Sequence, residues 1–310
     1  MVGAGYLGRF HAEKYRDSLR ADLVGVADPS PAARDAVARN CGVAGHADYR
    51  ELLGRVDAVS VVTPTPLHHA IARAFIEAGA HVLVEKPICT TVEEARDLID
   101  VAARHGRILQ VGHLERFNPA IIAAMPVIQG PRFVASHRLA PFQPRGTDVS
   151  VVLDLMIHDI DLIMNIVGAP ISSIDAVGAP VFTAAIDIAN ARIRFTNGCV
   201  ADATASRISM KTERKLRIFQ EDTYLSIDLQ QKLLTTVRRR GGEAISGGLP
   251  VDVTEQNCEQ GDALRFEIES FLEAILNRTA PVVTGEDGLR ALETAIRIGE
   301  LVHSQASAAR

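Results

Sequence analysis

Three side chains in this sequence suit the removal of hydrogen from an alcohol: Lys86, Asp154 and His158. Oxidising a secondary alcohol takes a proton from the hydroxyl while a hydride leaves the carbon that bears it. An imidazole that titrates near neutrality suits the first task, so His158 is the expected base. The Lys86 ammonium suits holding the hydroxyl and stabilising the alkoxide that develops. Asp154 lies four residues before His158 and Asp161 three beyond it, so a helix over 151–167 should put all three on one side. Asp154 would then orient His158 or bond the substrate. Each piece also has a plainer reading. Lys86 taken alone is surface charge, and Asp154 with His158 is a satisfied structural histidine beside a capping carboxylate. No serine or cysteine nucleophile motif competes, and no residues show zinc-ligand spacing, so no metal is expected.

A hydride needs an acceptor, and the first residues carry a signature for one. Gly3, Ala4, Gly5, Tyr6, Leu7 and Gly8 spell G-x-G-x-x-G. The first glycine permits a tight turn, the second lets the backbone approach a pyrophosphate, and the third allows close packing of helix on sheet. The helix N-terminus supplies a positive dipole. Asp28 ends the next strand about 20 residues on, where a carboxylate binds both ribose hydroxyls and repels a 2′-phosphate. NAD is therefore expected over NADP. A bare glycine turn with a helix-capping Asp28 is the alternative. Only Met1 and Val2 precede Gly3, so the first strand of the motif, central in this fold, is expected to be truncated in this sequence.

These residues need a scaffold. The runs 22–28, 57–63, 81–85 and 108–112 are apolar and rich in β-branched residues, as strands buried on both faces are. Between them lie amphipathic stripes, Leu67-Ile71-Phe75-Ala78 and Val92-Ala95-Leu98-Ala102, the second opened by Thr91 and Glu94 at capping-box spacing and closed by Gly106. That alternation gives a parallel sheet with right-handed crossovers. Beyond residue 116 the rhythm changes. Ala191, Ile193 and Phe195 alternate with polar residues, Asn197-Gly198 follows, and Ala201, Ala203 and Ala205 alternate in turn, which is a hairpin. A second pair runs over 216–219 and 225–229. The fold class is thus α/β: a Rossmann dinucleotide-binding domain over 1–116, then an α+β domain over 117–310 with a large open, mainly antiparallel sheet. Two closing helices, carrying Leu264-Ile268-Phe271-Ile275 and Leu289-Leu292-Ile296, are expected to pack back on the first domain.

Composition narrows the rest. The chain has 310 residues, 47% apolar and 23% charged, with a net charge of −5, which suits a globular protein of two cores. Arg238, Arg239 and Arg240 are the one basic cluster and read as a solvated strand end, so nucleic acid is not an expected partner. No stretch approaches the ~20 apolar residues that span a bilayer, and the four scattered cysteines fit a reducing cytoplasm.

The order of fingerprint, Thr63-Pro64 with His68 nearby, Glu85-Lys86-Pro87, Asp154-x-x-x-His158 and the closing Thr284-Gly285-Glu286-Asp287-Gly288 resembles the Gfo/Idh/MocA oxidoreductases through nearly the whole chain. The resemblance implies that Lys86, Asp154 and His158 form a catalytic triad and that the Lys86–Pro87 peptide is cis. It adds Thr63, Pro64, His68 and Glu85 to the cofactor side, and a homodimer or homotetramer through the open sheet. Many members have a glycine-rich stretch before the aspartate, where this chain has Ser150-Val151-Val152-Leu153, a bulkier backbone on the substrate side. The segments 111–120 (VGHLERFNPA) and 148–163 resemble one branch, the UDP-N-acetylglucosamine 3-dehydrogenases of lipid A biosynthesis. His113, Arg116 and Asp161 are candidates for the substrate side. A diphosphate needs cations, for which Arg138 and Arg145 are candidates. A dehydrogenase of free sugars or inositols, and a sensor that keeps the nucleotide site without catalysis, are the competing readings.

Overall fold

A computed structural model describes residues 1–143, 149–240 and 250–308, with side chains as far as residue 305. The first elements in chain order are α1 (Tyr6–Asp17), β1 (Gly25–Ala27), α2 (Pro31–Cys41), β2 (Ala44–His46), β3 (Ala58–Val61), α3 (His68–Glu77), β4 (His81–Glu85), α4 (Val92–His105) and β5 (Leu109–Gly112). Then come α5 (Pro119–Ala124), β6 (Phe133–Leu139), α6 (Ile157–Val167), β7 (Ile171–Ala179), β8 (Ile188–Phe195), β9 (Val200–Ser206) and β10 (Glu213–Phe219). The chain ends with β11 (Thr223–Asp228), β12 (Leu233–Arg239), β13 (Val251–Asn257), α7 (Ala263–Asn277) and α8 (Gly285–Ala308).

Two compact units result. One comprises Met1–Leu114 with Asp262–Leu292, the other Glu115–Gly261 with Glu293–Arg310. The first unit is a parallel sheet in two pieces, β1-β2 and β3-β4-β5. Residues 1–3 join the pieces. Ala27 N–H donates to Met1 O (2.9 Å), Gly3 N–H to Ala27 O (2.8 Å), Val2 N–H to Ser60 O (2.9 Å) and Val62 N–H to Val2 O (2.8 Å). Beneath this junction lies a cavity of about 700 Å³, lined by Met1, Val24, Gly25, Ala58, Val59 and Ser60 among others. Apart from β2, whose Ala44 and Gly45 are exposed, the strands are largely buried, with Val26, Val61, Val82, Val84 and Val111 fully inaccessible. The capping box on α4 is formed, Thr91 Oγ1 accepting from Glu94 N–H (3.2 Å), and Gly106 in the left-handed region (φ 60°) ends that helix. Helix α7 belongs to this unit, and its Leu264, Ile268, Phe271 and Leu272 pack with Tyr15 and Leu83.

The second unit is built on an eight-stranded sheet in the order β13-β12-β11-β10-β6-β9-β8-β7. Every pairing is antiparallel except β6 with β9. The Asn197-Gly198 turn joins β8 to β9 as expected, with Gly198 at φ 86°. The small inward residues Ala189, Ala191, Ala201, Ala203 and Ala205 are buried and leave room for the bulky face of α6. On the other face the strands pair polar side chains, Arg192 with Asp202 (3.1 Å) and Asn190 with Thr204 (2.9 Å). The arginine cluster falls at the end of β12, where Arg239 and Arg240 are exposed.

Candidate active site

On the first unit the glycine positions are set by backbone crowding. Gly3 has φ 97°, and a Cβ there would stand 2.3 Å from Val62 O. A Cβ on Gly8 would stand 1.7 Å from Gly3 O, so the first turn of α1 can pack against the glycine turn only without one. Gly5 differs: nothing in the protein lies within 4 Å of its missing side chain. It is the N-cap of α1 and supplies no side-chain cap to the first turn, Tyr6, Leu7 and Gly8. Tyr6 is 65% exposed. Asp28, directly after β1, accepts from Ala4 N–H (2.6 Å) and Ser30 N–H (2.7 Å) and so ties the glycine turn to the strand end. An open space over Gly5, an uncapped twelve-residue helix and a carboxylate at the strand end fit a dinucleotide with free ribose hydroxyls.

Two further turns end β3 and β4. Thr63 and Pro64 follow the first and Lys86 and Pro87 the second, and the Lys86–Pro87 peptide is cis. His68 straps them together, one ring nitrogen 2.8 Å from Thr63 O and the other 2.9 Å from Pro87 O. It is buried and serves as a brace between loops. Glu85 closes β4 with its carboxylate facing inward: Oε1 is 3.1 Å from His11 Nε2, and Oε2 accepts from Lys86 N–H (3.2 Å). Burial alone would push this carboxyl up, but the His11 bond and charge, with Lys86 beside it, hold it below the usual range. His113, just past β5, is buried.

On the second unit the expected helix over 151–167 is two kinds of helix. Val152–Met156 is a π turn, in which Ile157 N–H reaches back to Val152 O, and α6 begins only at Ile157. Inserted π turns change the phase of side chains along a helix and are frequent at functional sites. Asp154 and His158 are both half-buried across this junction, whereas Asp161 is turned inside, 1% exposed. Both Asp161 oxygens accept from Arg116, Oδ2 from Nε (2.8 Å) and Oδ1 from Nη2 (2.7 Å), and Arg116 Nη1 donates to Asn165 (2.7 Å). Arg138 is likewise interior, at 3% exposure, its Nε and Nη2 on Asp159 (2.7 and 3.2 Å) and its Nη1 on Glu115 (2.9 Å). Burial works against its charge, and the two carboxylates more than offset it, so its pKa is raised. The expectation that Arg138 meets a diphosphate therefore gives way to a buried ion-pair role that braces α6 on β6. Arg145 lies outside the described residues.

Sequence reasoning passed over His11 and Glu267. Each stands in an apolar stripe, Gly8-His11-Ala12-Tyr15 on α1 and Leu264-Glu267-Ile268-Phe271 on α7. A polar residue in such a stripe must find a partner inside, and that was the available signal. Among the described residues, His11, Glu85 and Glu267 form the group of three with ligand-type atoms within 4.8 Å of one another, though they come from three distant parts of the sequence.

A Gly-rich turn on a helix N-terminus, a carboxylate at the end of the next strand and a large open sheet in a second unit fit an NAD-binding oxidoreductase of two-domain type. The family profile described as oxidoreductase family, NAD-binding Rossmann fold, matches residues 1–113, and the Gfo/Idh/MocA C-terminal domain matches 132–226. The chain is 38% identical over 299 residues to UDP-N-acetylglucosamine 3-dehydrogenase of Acidithiobacillus ferrooxidans, spanning 96% of this chain and 95% of that one. A solved structure of that enzyme matches with a TM-score of 0.92 over 98% of this chain and 96% of that one. Scyllo-inositol 2-dehydrogenase (NAD(+)) of Bacillus subtilis is 27% identical over 96% of this chain and 91% of its own. The chain belongs to the Gfo/Idh/MocA oxidoreductase family, as an NAD-dependent dehydrogenase. No helix among the described residues is long and apolar enough to cross a membrane.

Proposed function

We propose that this enzyme oxidises the 3-hydroxyl of the sugar in a UDP-linked N-acetylhexosamine, with UDP-N-acetylglucosamine as substrate and NAD as oxidant. The observation that carries this reading is the 38% identity, sustained over 96% of this chain and 95% of its relative, to an enzyme named for that reaction. The likeness to an inositol dehydrogenase, 27% over a similar span, supports oxidation of a free cyclic polyol as the second reading.

His158 takes the hydroxyl proton, and the electron pair left on oxygen becomes the second bond of a ketone as the carbon gives up its hydride. NAD, when bound, accepts that hydride. The Lys86 ammonium donates to the same oxygen and stabilises it as negative charge develops. Asp154, one turn before His158 on the π segment, orients the imidazole. Gly3, Gly5 and Gly8, with the amides of Tyr6 and Leu7, hold the dinucleotide pyrophosphate, and Asp28 holds the ribose. Thr63, Pro64, His68 and Glu85 shape the turns that would hold the cofactor. His113 stands on the substrate side, with Arg145 as the remaining cation for the diphosphate. The product, a 3-keto sugar nucleotide, suits an aminotransferase next in sequence, as in lipid A assembly in the cytoplasm. The open sheet of the second unit is the proposed face for a homodimer or homotetramer.

Deuterium at carbon 3 of the sugar tests the site of oxidation. It should appear in the reduced cofactor and slow turnover, whereas deuterium at carbon 4 should do neither. Transfer from carbon 4 would overturn the reading.

A further inference from the structure

The Glu85-Lys86-Pro87 turn rests on a buried polar cluster that the reaction itself does not use. Glu267, from α7, is fully buried, and neither of its carboxyl oxygens has a hydrogen-bond partner among the described residues. One of those oxygens lies within 4.8 Å of a ring nitrogen of His11 and of a carboxylate oxygen of Glu85. The backbone on either side is fixed. Gln110 Nε2 on β5 donates to Glu267 O (3.1 Å), and a Cβ on Gly112 would strike Glu85 Oε1 at 2.9 Å, so β5 leaves that space for the carboxylate. Tyr15, also on α1, is held by Ser60 (2.7 Å), and burial first, with the charge of Glu267 adding to it, raises its phenol. The outer charges of α7 are engaged elsewhere, Asp262 with Lys14 (2.6 Å), and Glu269 and Glu273 with Arg20 (3.5 Å each).

We propose that His11 and Glu267 are positioning residues, which fix the Glu85 carboxylate behind the turn and, through its bond to Lys86 N–H, set the placement of Lys86. The inference rests on the catalytic reading of Lys86 given above. Two ionised carboxylates side by side in a dry site repel each other, which favours a proton on one of them. Glu85 is the ionised one, bound to His11 and to an amide. Burial, and then the charge of Glu85, push Glu267 well above the carboxylate range, so it is the acid. A protonated Glu267 presents an O–H donor to Glu85; an ionised one sets a second negative charge beside it.

The test compares His11→Leu, His11→Gln, Glu267→Gln and Lys86→Ala as full-length folded proteins, by steady-state kinetics, NAD titration and melting against pH. His11→Leu should lower kcat by on the order of ten- to a hundredfold with KM and NAD affinity within about threefold, and His11→Gln should restore much of it. A role in packing alone predicts no such restoration. Should His11→Leu not fold, Glu267→Gln decides. Folding raises the Glu267 pKa, so the native melting temperature should fall as pH rises from near 5 through neutrality, and Glu267→Gln should flatten that slope. Full turnover in His11→Leu while Lys86→Ala is inactive would overturn the positioning role and leave the reading of Lys86 standing. Full turnover in Lys86→Ala would remove that reading instead. Equal slopes in native and Glu267→Gln, or a stoichiometric metal ion in the purified protein, would also overturn the proposal.

Discussion

At the scale of single residues the proposed reaction gives the chemistry to Lys86 and His158 and the cofactor to the glycine turn and Asp28. Lys86→Ala and His158→Ala should each lower kcat by on the order of 10²–10⁴ while NAD affinity stays within about threefold, read by turnover and by cofactor titration. Equal losses in both measurements would mean that these side chains serve binding. Asp28 acts in the opposite way. Its carboxylate ties the glycine turn to the end of β1, and the proposed function gives it the ribose. Asp28→Ala should weaken NAD by about tenfold and narrow its advantage over NADP, because a charged hydrogen bond and a repulsion both disappear. An unaltered ratio of the two affinities would place Asp28 away from the ribose. The fingerprint, Asp28 and the Glu-Lys-Pro turn were legible in the sequence because local spacing specifies them. The partners of Arg116 and Arg138 were not: a guanidinium that meets a carboxylate 21 or 45 residues away leaves no mark in local spacing.

At the scale of elements, backbone crowding makes the three glycines unequal. Gly8→Ala sets a Cβ against the Gly3 carbonyl and should cost on the order of 3 kcal/mol or prevent folding, seen as a lowered melting temperature. Gly5→Ala meets no protein atom, so it should melt within about 1 kcal/mol of the native chain yet bind NAD less well. A stable Gly8→Ala, or a Gly5→Ala with native affinity, would contradict this division. The connection between β7 and β8 offers a pH test. Asp187 is buried there and accepts the N–H groups of Val181, Phe182 and Thr183. Burial alone would raise its pKa, but these bonds lower it to about 2 from 3.8. The stability they confer is therefore present above pH 3.8 and lost as pH falls toward 2. Asp187→Asn should cost on the order of 1–2 kcal/mol near neutrality, a difference that shrinks below pH 3. A denaturant melt of both proteins at two pH values checks it. Strand alternation and capping residues made most elements legible from sequence. The π turn did not show, because Val152–Met156 reads as an ordinary apolar helix and the extra residue per turn is decided by what packs around it.

At the scale of the molecule, one chain supplies two units of different construction, and Asp262–Leu292 returns to the first after the second is built. That return brings Glu267 to the interior behind Lys86, which the order of elements along the chain does not disclose. The central claim is the choice of substrate. The direct measurement is kcat/KM for NAD reduction with UDP-N-acetylglucosamine, UDP-glucose, N-acetylglucosamine and scyllo- and myo-inositol, side by side. The account predicts turnover with UDP-N-acetylglucosamine exceeding every other compound by on the order of a hundredfold or more, since each alternative lacks the diphosphate, the acetamido group or both. Turnover highest with an inositol, and none with the sugar nucleotide, would contradict it.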